Sequence, residues 1–158
     1  MDAQPQLTRT EPPRGMYPAR LDDKGRCKMP AALQQFLGAL TEKKLFVTSL
    51  DRRIAQIYPI EVWRQNEKFF DEAEDNQELV SQIAFIAADL GAEAEMDAQG
   101  RITFPPELRR ELGLEDQTLR LYAYRGRIEV LSEKLYEEQR QGSTAVTTQS
   151  VRSLKGLK

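Results

Sequence analysis

Apolar and polar residues alternate at period two on both sides of a glycine, and they do so twice. Tyr17, Ala19 and Leu21 lead up to Gly25, with Cys27 and Met29 beyond it; Ala92, Ala94 and Met96 lead up to Gly100, with Ile102 and Phe104 beyond it. This pattern predicts two short strands joined by a tight turn, whose glycine supplies the positive φ. A proline follows each pair (Pro30, Pro105), suited to a first helical turn where a missing N–H costs nothing. Apolar residues then recur four apart at Leu33/Leu37 and Leu108/Leu112, and Gly38 and Gly113 are expected to close these helices in the left-handed conformation. A second strand pair is predicted at 45–49 and 54–58, and again at 118–124 and 127–131 around Arg125-Gly126. Further helices begin near Pro59 and near Ser132.

The two occurrences are copies. Shifted by 75 positions, 22–38 falls on 97–113 with seven identities in 17 positions, where composition alone gives roughly one. Asp22, Gly25 and Arg26 align with Asp97, Gly100 and Arg101, and Pro30, Leu33, Leu37 and Gly38 align with Pro105, Leu108, Leu112 and Gly113.

Between the copies the spacing changes to helical. Ile60, Trp63 and Phe70 form one apolar stripe, and Leu79, Ile83, Ile86 and Leu90 another, with a break at 71–76 where Asp75 and Glu78 are placed as in a capping box. The reading is an α+β chain divided into an N-terminal extension (1–14), a first module (15–63), a helical insert (64–90), a second module (91–138) and a tail (139–158), both termini being expected to be mobile. One copy of about 45 residues buries too little apolar surface to fold alone. Short strands with open edges also need covering, which favours intertwined pairing and self-association.

Composition narrows the chemistry. The 158 residues include no histidine and one cysteine, Cys27, so histidine-based acid–base catalysis, an internal disulfide and Cys-cluster zinc sites are all excluded. Cys27 lies on an apolar strand position and reads as a core residue. No phosphate loop or nucleophile elbow is present, and the acidic run at 71–76 lacks the ligand spacing of a calcium loop, so no enzyme activity and no cofactor is expected. Residues 1–13 have no signal-peptide character, and no apolar run is long enough for a membrane span, so a cytoplasmic protein is expected. The net charge of −2 hides an uneven distribution: 61–97 carries two basic against eleven acidic groups, while 1–60 has a basic excess.

The repeated turn is the candidate for function. An Asp at its first position can accept hydrogen bonds within the turn or pair with the Arg four residues on. Two roles are open for the pair: a plain lock without a ligand, or an arginine aimed at a guanine edge or a phosphate. Arg20, Lys24 and Lys28 surround the first turn and give it a local cation excess. In the second turn Gln99 replaces the lysine, and a glutamine can read an adenine edge.

The stretches 15–30 (Gly15-Met16-Tyr17, then Ala19 to Arg26, then Met29-Pro30) and 96–109 resemble the two halves of the MraZ family, in order and at the family's spacing, across roughly 15–138. The resemblance implies two tandem swapped-hairpin modules of the AbrB/SpoVT type, packed as an intrachain pseudo-dimer and assembled into ring-like homo-oligomers. It also implies a nucleoid-associated transcriptional regulator that binds direct repeats of double-stranded DNA in its own promoter, at the head of the division and cell-wall gene cluster. Carried over by residue, Arg26 and Arg101 are the readers, Lys24 supports the first, and Asp22 with Gly25 and Asp97 with Gly100 orient the turns. Gln99 departs from the family pattern, where a basic residue is commoner. A different class of function, an antitoxin-like protein-interaction module, would use the Ser/Thr-rich tail 142–158 as an arm around a partner.

Overall fold

The computed structural model describes residues 11–158; most of the predicted N-terminal extension lies outside them. Among the described residues are eight strands and six helices. The first copy supplies β1 (Met16–Ala19), β2 (Arg26–Lys28), α1 (Ala31–Gly38), β3 (Leu45–Thr48) and β4 (Ala55–Pro59). Helices α2 (Ile60–Glu72) and α3 (Gln77–Leu90) follow. The second copy supplies β5 (Ala92–Ala94), β6 (Arg101–Thr103), α4 (Pro106–Leu112), β7 (Leu119–Tyr124) and β8 (Arg127–Leu131), and α5 (Glu133–Ser143) and α6 (Thr148–Arg152) end the chain.

The strands flanking each glycine turn do not ladder with each other as a simple hairpin. In the first copy one bridge, Leu21 to Cys27, closes the turn; β1 then pairs with β7 and β2 with β6, both antiparallel. The second copy reciprocates, β5 pairing with β3. A central β4–β8 pair joins the halves, giving a six-stranded antiparallel sheet in the order β1-β7-β8-β4-β3-β5 beside a separate β2–β6 ribbon. Strands of three or four residues make a weak hairpin on their own. Crossing to the other copy gives β1 and β5 longer partners, pairs β2 with β6, and gives all four a shared core.

That core draws on equivalent positions of both copies: Cys27 and Ile102, Met29 and Phe104, Leu33 and Leu108 are all fully or almost fully buried in one cluster. Cys27 is a free thiol there, pushed up to about 12 by burial, which keeps it protonated and inert. A second cluster docks α2 onto the outer sheet face, where Trp63 packs tilted against Phe46 (centroids 4.7 Å) and edge-on to Tyr58 (4.9 Å), with Phe70 at 5.9 Å.

Four local expectations are corrected. Gly113 takes the left-handed cap (φ 61°), but Gly38 is the last residue of α1 and Ala39 caps it in right-handed geometry, because the chain turns on through a further helical-type bond from the Leu40 N–H to Leu37. Asp75 and Glu78 form no capping box; Asn76 occupies the cap of α3 at φ 57° with no side-chain bond, its short polar side chain tolerating that region. Burial along the stripe on α3 rises towards its C-terminal end: Leu79 is exposed, Ile83 and Ile86 are partly buried, and Leu90 is buried where the helix meets the core. The segment expected to be a mobile tail from 139 is helical in two stretches: Ser132 caps α5 through the Leu135 N–H at 3.2 Å, and Thr147 and Ser150 form a capping box on α6.

Candidate nucleic-acid interface

The two glycine turns are built alike, bond for bond. In the first, the Asp22 N–H donates to the Arg26 carbonyl (2.8 Å) and the Gly25 N–H to the Asp22 carbonyl (3.0 Å). Asp22 Oδ1 accepts the backbone N–H groups of Lys24 (2.9 Å) and Arg26 (2.8 Å), and Oδ2 accepts Nε–H of Arg26 at 2.7 Å. In the second, Asp97 Oδ1 accepts from Gln99 and Arg101 at 2.9 Å each, and Oδ2 accepts Nε–H of Arg101 at 2.8 Å. The Asp–Arg lock therefore exists, but it engages only Nε. Among the described residues the two terminal nitrogens of Arg26 and of Arg101 bond no protein acceptor, so each guanidinium keeps the fork that makes bidentate contacts.

The ribbon sets both forks on one surface. Arg26 stands opposite Thr103 and Lys28 opposite Arg101, while the intervening Cys27 and Ile102 point into the core. Alternation along a strand then leaves Arg26, Lys28, Arg101 and Thr103 sharing the outward face. Arg26 and Arg101 are half-buried, with 28% and 27% of their side chains exposed, and Lys24, Lys28 and Gln99 are exposed. Arg20 lies apart from this row, leaning to the Thr118 hydroxyl at 3.4 Å.

The electrostatics are steady. The Arg26 backbone N–H, joined by its Nε–H and the Lys24 N–H, holds the Asp22 carboxyl below its ordinary value against partial desolvation. Asp97 is lowered in the same way, first by the Arg101 backbone N–H. Both carboxylates thus stay charged throughout the neutral range.

Sequence reasoning missed what lies beneath the turns. Gly25 and Gly100, at φ 77° and 79°, are buried, and a methyl group on either would overlap a side chain of the opposite copy: the Arg109 guanidinium over Gly25, the Gln34 amide over Gly100. Backbone bonds cross in the same sense, from the Phe104 N–H to the Gly25 carbonyl (2.9 Å) and from the Met29 N–H to the Gly100 carbonyl (2.8 Å). The available signal was the register itself, since Gln34 and Arg109 are 75 positions apart and are both long donor-bearing side chains. Also unforeseen is a buried polar chain on the outer sheet face, Tyr58 OH to Gln56 (2.9 Å) and Gln56 to Glu129 (2.8 Å), with Arg127 Nε on the same carboxylate at 3.2 Å. It is internally satisfied and braces the β4–β8 junction.

Comparison with known proteins finds one family. A family model described as "MraZ protein, putative antitoxin-like" matches residues 90–155. The chain is 33% identical over 96 residues to the transcriptional regulator MraZ of Acidobacterium capsulatum and 34% identical over 97 residues to that of Koribacter versatilis. Each of these alignments takes in 61% of this chain and 66% of the relative, so the chain spans just under two thirds of the length of both proteins. It is 31% identical over 106 residues to the transcriptional regulator MraZ of Nitrosospira multiformis, covering 67% of this chain and 72% of that protein.

Proposed function

The chain belongs to the MraZ family, and from that premise we propose that it is a sequence-specific DNA-binding transcriptional regulator acting in the cytoplasm, at the nucleoid, on direct repeats in its own promoter at the head of the division and cell-wall gene cluster. The observation that carries this reading is the shared outward face of the β2–β6 ribbon, where Arg26, Lys28 and Arg101 stand together and both arginines keep free forks. A two-stranded ribbon fits the major groove, and an arginine fork matches guanine O6 and N7. Catalysis has no part in this reading, and no helix among the described residues is long and apolar enough to cross a membrane.

The same reading takes 15–63 and 91–138 as tandem swapped-hairpin modules forming an intrachain pseudo-dimer around the insert, a division supported by the reciprocal pairing of β1 with β7 and β5 with β3. One chain offers two reading turns, too few for tight binding. A ring of chains repeats them along one duplex, and turns spaced about one helical repeat, roughly 34–36 Å, favour direct repeats over palindromes. Self-association is supported by the bare apolar groups on the insert: Phe69 and Phe85 are 62% and 66% exposed, and Leu79 is exposed as well. Replacing Phe69 and Phe85 together with serine is expected to lower the mass measured by light scattering while leaving the thermal midpoint of the subunit nearly unchanged. An unchanged mass would place the contact elsewhere.

The direct test is a mobility-shift titration on DNA from upstream of the protein's own gene. Specific retardation at protein concentrations well below those needed for unrelated DNA of equal length supports the reading; equal affinities overturn it. The pH dependence is a second check. A carboxyl lowered by folding stabilises the turn above its unfolded value, and the contribution is lost as pH falls through the lowered folded value. With no histidine in the chain, affinity at fixed salt is expected to stay nearly constant between about pH 6 and 8 and to fall only below about pH 4.

A second reading, an arm that holds a protein partner, is favoured by the exposed Val146, Val151, Leu154 and Leu157 of the C-terminal segment. Deleting 144–158 separates the two: a DNA regulator keeps its promoter affinity, and a partner-binding protein loses its partner.

A further inference from the structure

We propose, building on the DNA-reading role above, that Gln34 and Arg109 are crossed positioning residues: the helix of each half sets the reading turn of the other, Arg109 holding the first turn for Arg26 and Gln34 the second for Arg101.

The turns need such support. A glycine at φ near 80° has no side chain to fix it, and a base contact tolerates a displacement of only about 0.5 Å. On Gly25 the support comes from a linkage through the backbone of one residue. The Phe104 N–H is spent on the Gly25 carbonyl (2.9 Å), and the Phe104 carbonyl accepts Nε–H of Arg109 at 3.1 Å. The Arg109 guanidinium lies against the Gly25 backbone and is anchored by Nη1 to Glu115 at 3.0 Å. On Gly100 the linkage repeats with Met29: its N–H goes to the Gly100 carbonyl (2.8 Å), and its carbonyl accepts Nε2–H of Gln34 at 2.8 Å, the Gln34 amide lying against Gly100.

Arg109 is not itself a reader. Its side chain is only 16% exposed, lies under the turn and is paired with Glu115. The two braces are unequal, since Arg109 makes two anchoring bonds and Gln34 one. The first turn is therefore the more firmly held, which ranks Arg26 above Arg101 independently of the lysines around it.

The crossed connection is what a test must read, because general loss of stability would weaken both turns alike. In the full-length protein on promoter DNA, Arg109→Ala is expected to lower specific affinity roughly tenfold. The loss should be non-additive with Arg26→Ala and additive with Arg101→Ala, and Gln34→Ala should give the reverse pairing. Arg109→Gln, which installs the sister residue, should recover most of the affinity. Additivity of Arg109→Ala with both readers, or equal coupling to both, overturns the proposal. If Arg109→Ala does not fold, the Gln34→Ala pairing decides by the same criterion.

Amide exchange without DNA, read by mass spectrometry, separates the brace from the function. Arg109→Ala should speed exchange across 22–26 and not across 97–101, and Gln34→Ala the opposite; uniform or absent changes overturn the brace. Should Arg26→Ala leave promoter binding intact, the DNA-reading role fails, and the exchange pattern still decides whether the turns are set across the halves.

Discussion

Replacing Arg26 with alanine is expected to lower affinity for the promoter repeats by at least about a hundredfold, with assembly and thermal midpoint nearly unchanged. A lost bidentate arginine–guanine contact removes about 1–3 kcal/mol of base discrimination, and an oligomer that engages several repeats loses it at each engaged turn. The fold should tolerate the change because the side chain is partly exposed and faces away from the core. The turn itself keeps its Asp22 bonds to the backbone N–H groups of Lys24 and Arg26. Asp22→Asn is a useful companion: it retains an acceptor for those N–H groups but releases the Arg26 Nε, so the fork is present and unaimed. Arg101→Ala should cost less than Arg26→Ala, because Gln99 stands where Lys24 stands in the first turn. A mobility shift that finds promoter affinity unaltered by Arg26→Ala would remove that turn from the reading surface, and a larger loss for Arg101→Ala would invert the ranking.

The parts of this molecule written in local pattern were legible, and those written in pairing were not. Alternation around Gly25 and Gly100 located β1, β2, β5 and β6, and proline and serine placement located the starts of α2 and α5. Residue spacing also placed an Asp and an Arg close enough to bond within each turn, as they do. Period-two alternation says which face of a strand is buried but not which strand lies beside it, so open edges and the family resemblance pointed to intertwined pairing without saying that β1 meets β7. Helical spacing likewise marks a face without saying how far its covering extends: Trp63 is covered, while Phe69 and Leu79 are bare. The braces escaped for a related reason. Gln34 and Arg109 are polar residues on amphipathic helices, where a solvated position is the ordinary expectation, and only the crossed arrangement brings them against the opposite glycines.

Phe104→Ala tests whether those crossed contacts are what makes the fold one unit. The Phe104 ring is fully buried in the cluster shared by both copies, beside its counterpart Met29. Truncating such a ring costs about 3–5 kcal/mol through lost transfer energy and the cavity left behind. That is a large fraction of a domain's stability. The same residue carries the backbone bond to Gly25 and accepts from Arg109, so collapse around the cavity should disturb the first turn, although Phe104 belongs to the second copy. Urea denaturation at fixed protein concentration, which holds the contribution of assembly constant, should show one cooperative transition shifted to lower denaturant with its slope preserved. Ile102→Val, which removes one methyl group from the neighbouring core position, should shift it by only about 0.5–1.5 kcal/mol. Two separate transitions in Phe104→Ala, with the first copy melting as in the parent protein, would mean that the halves fold independently and that neither sets the other's turn.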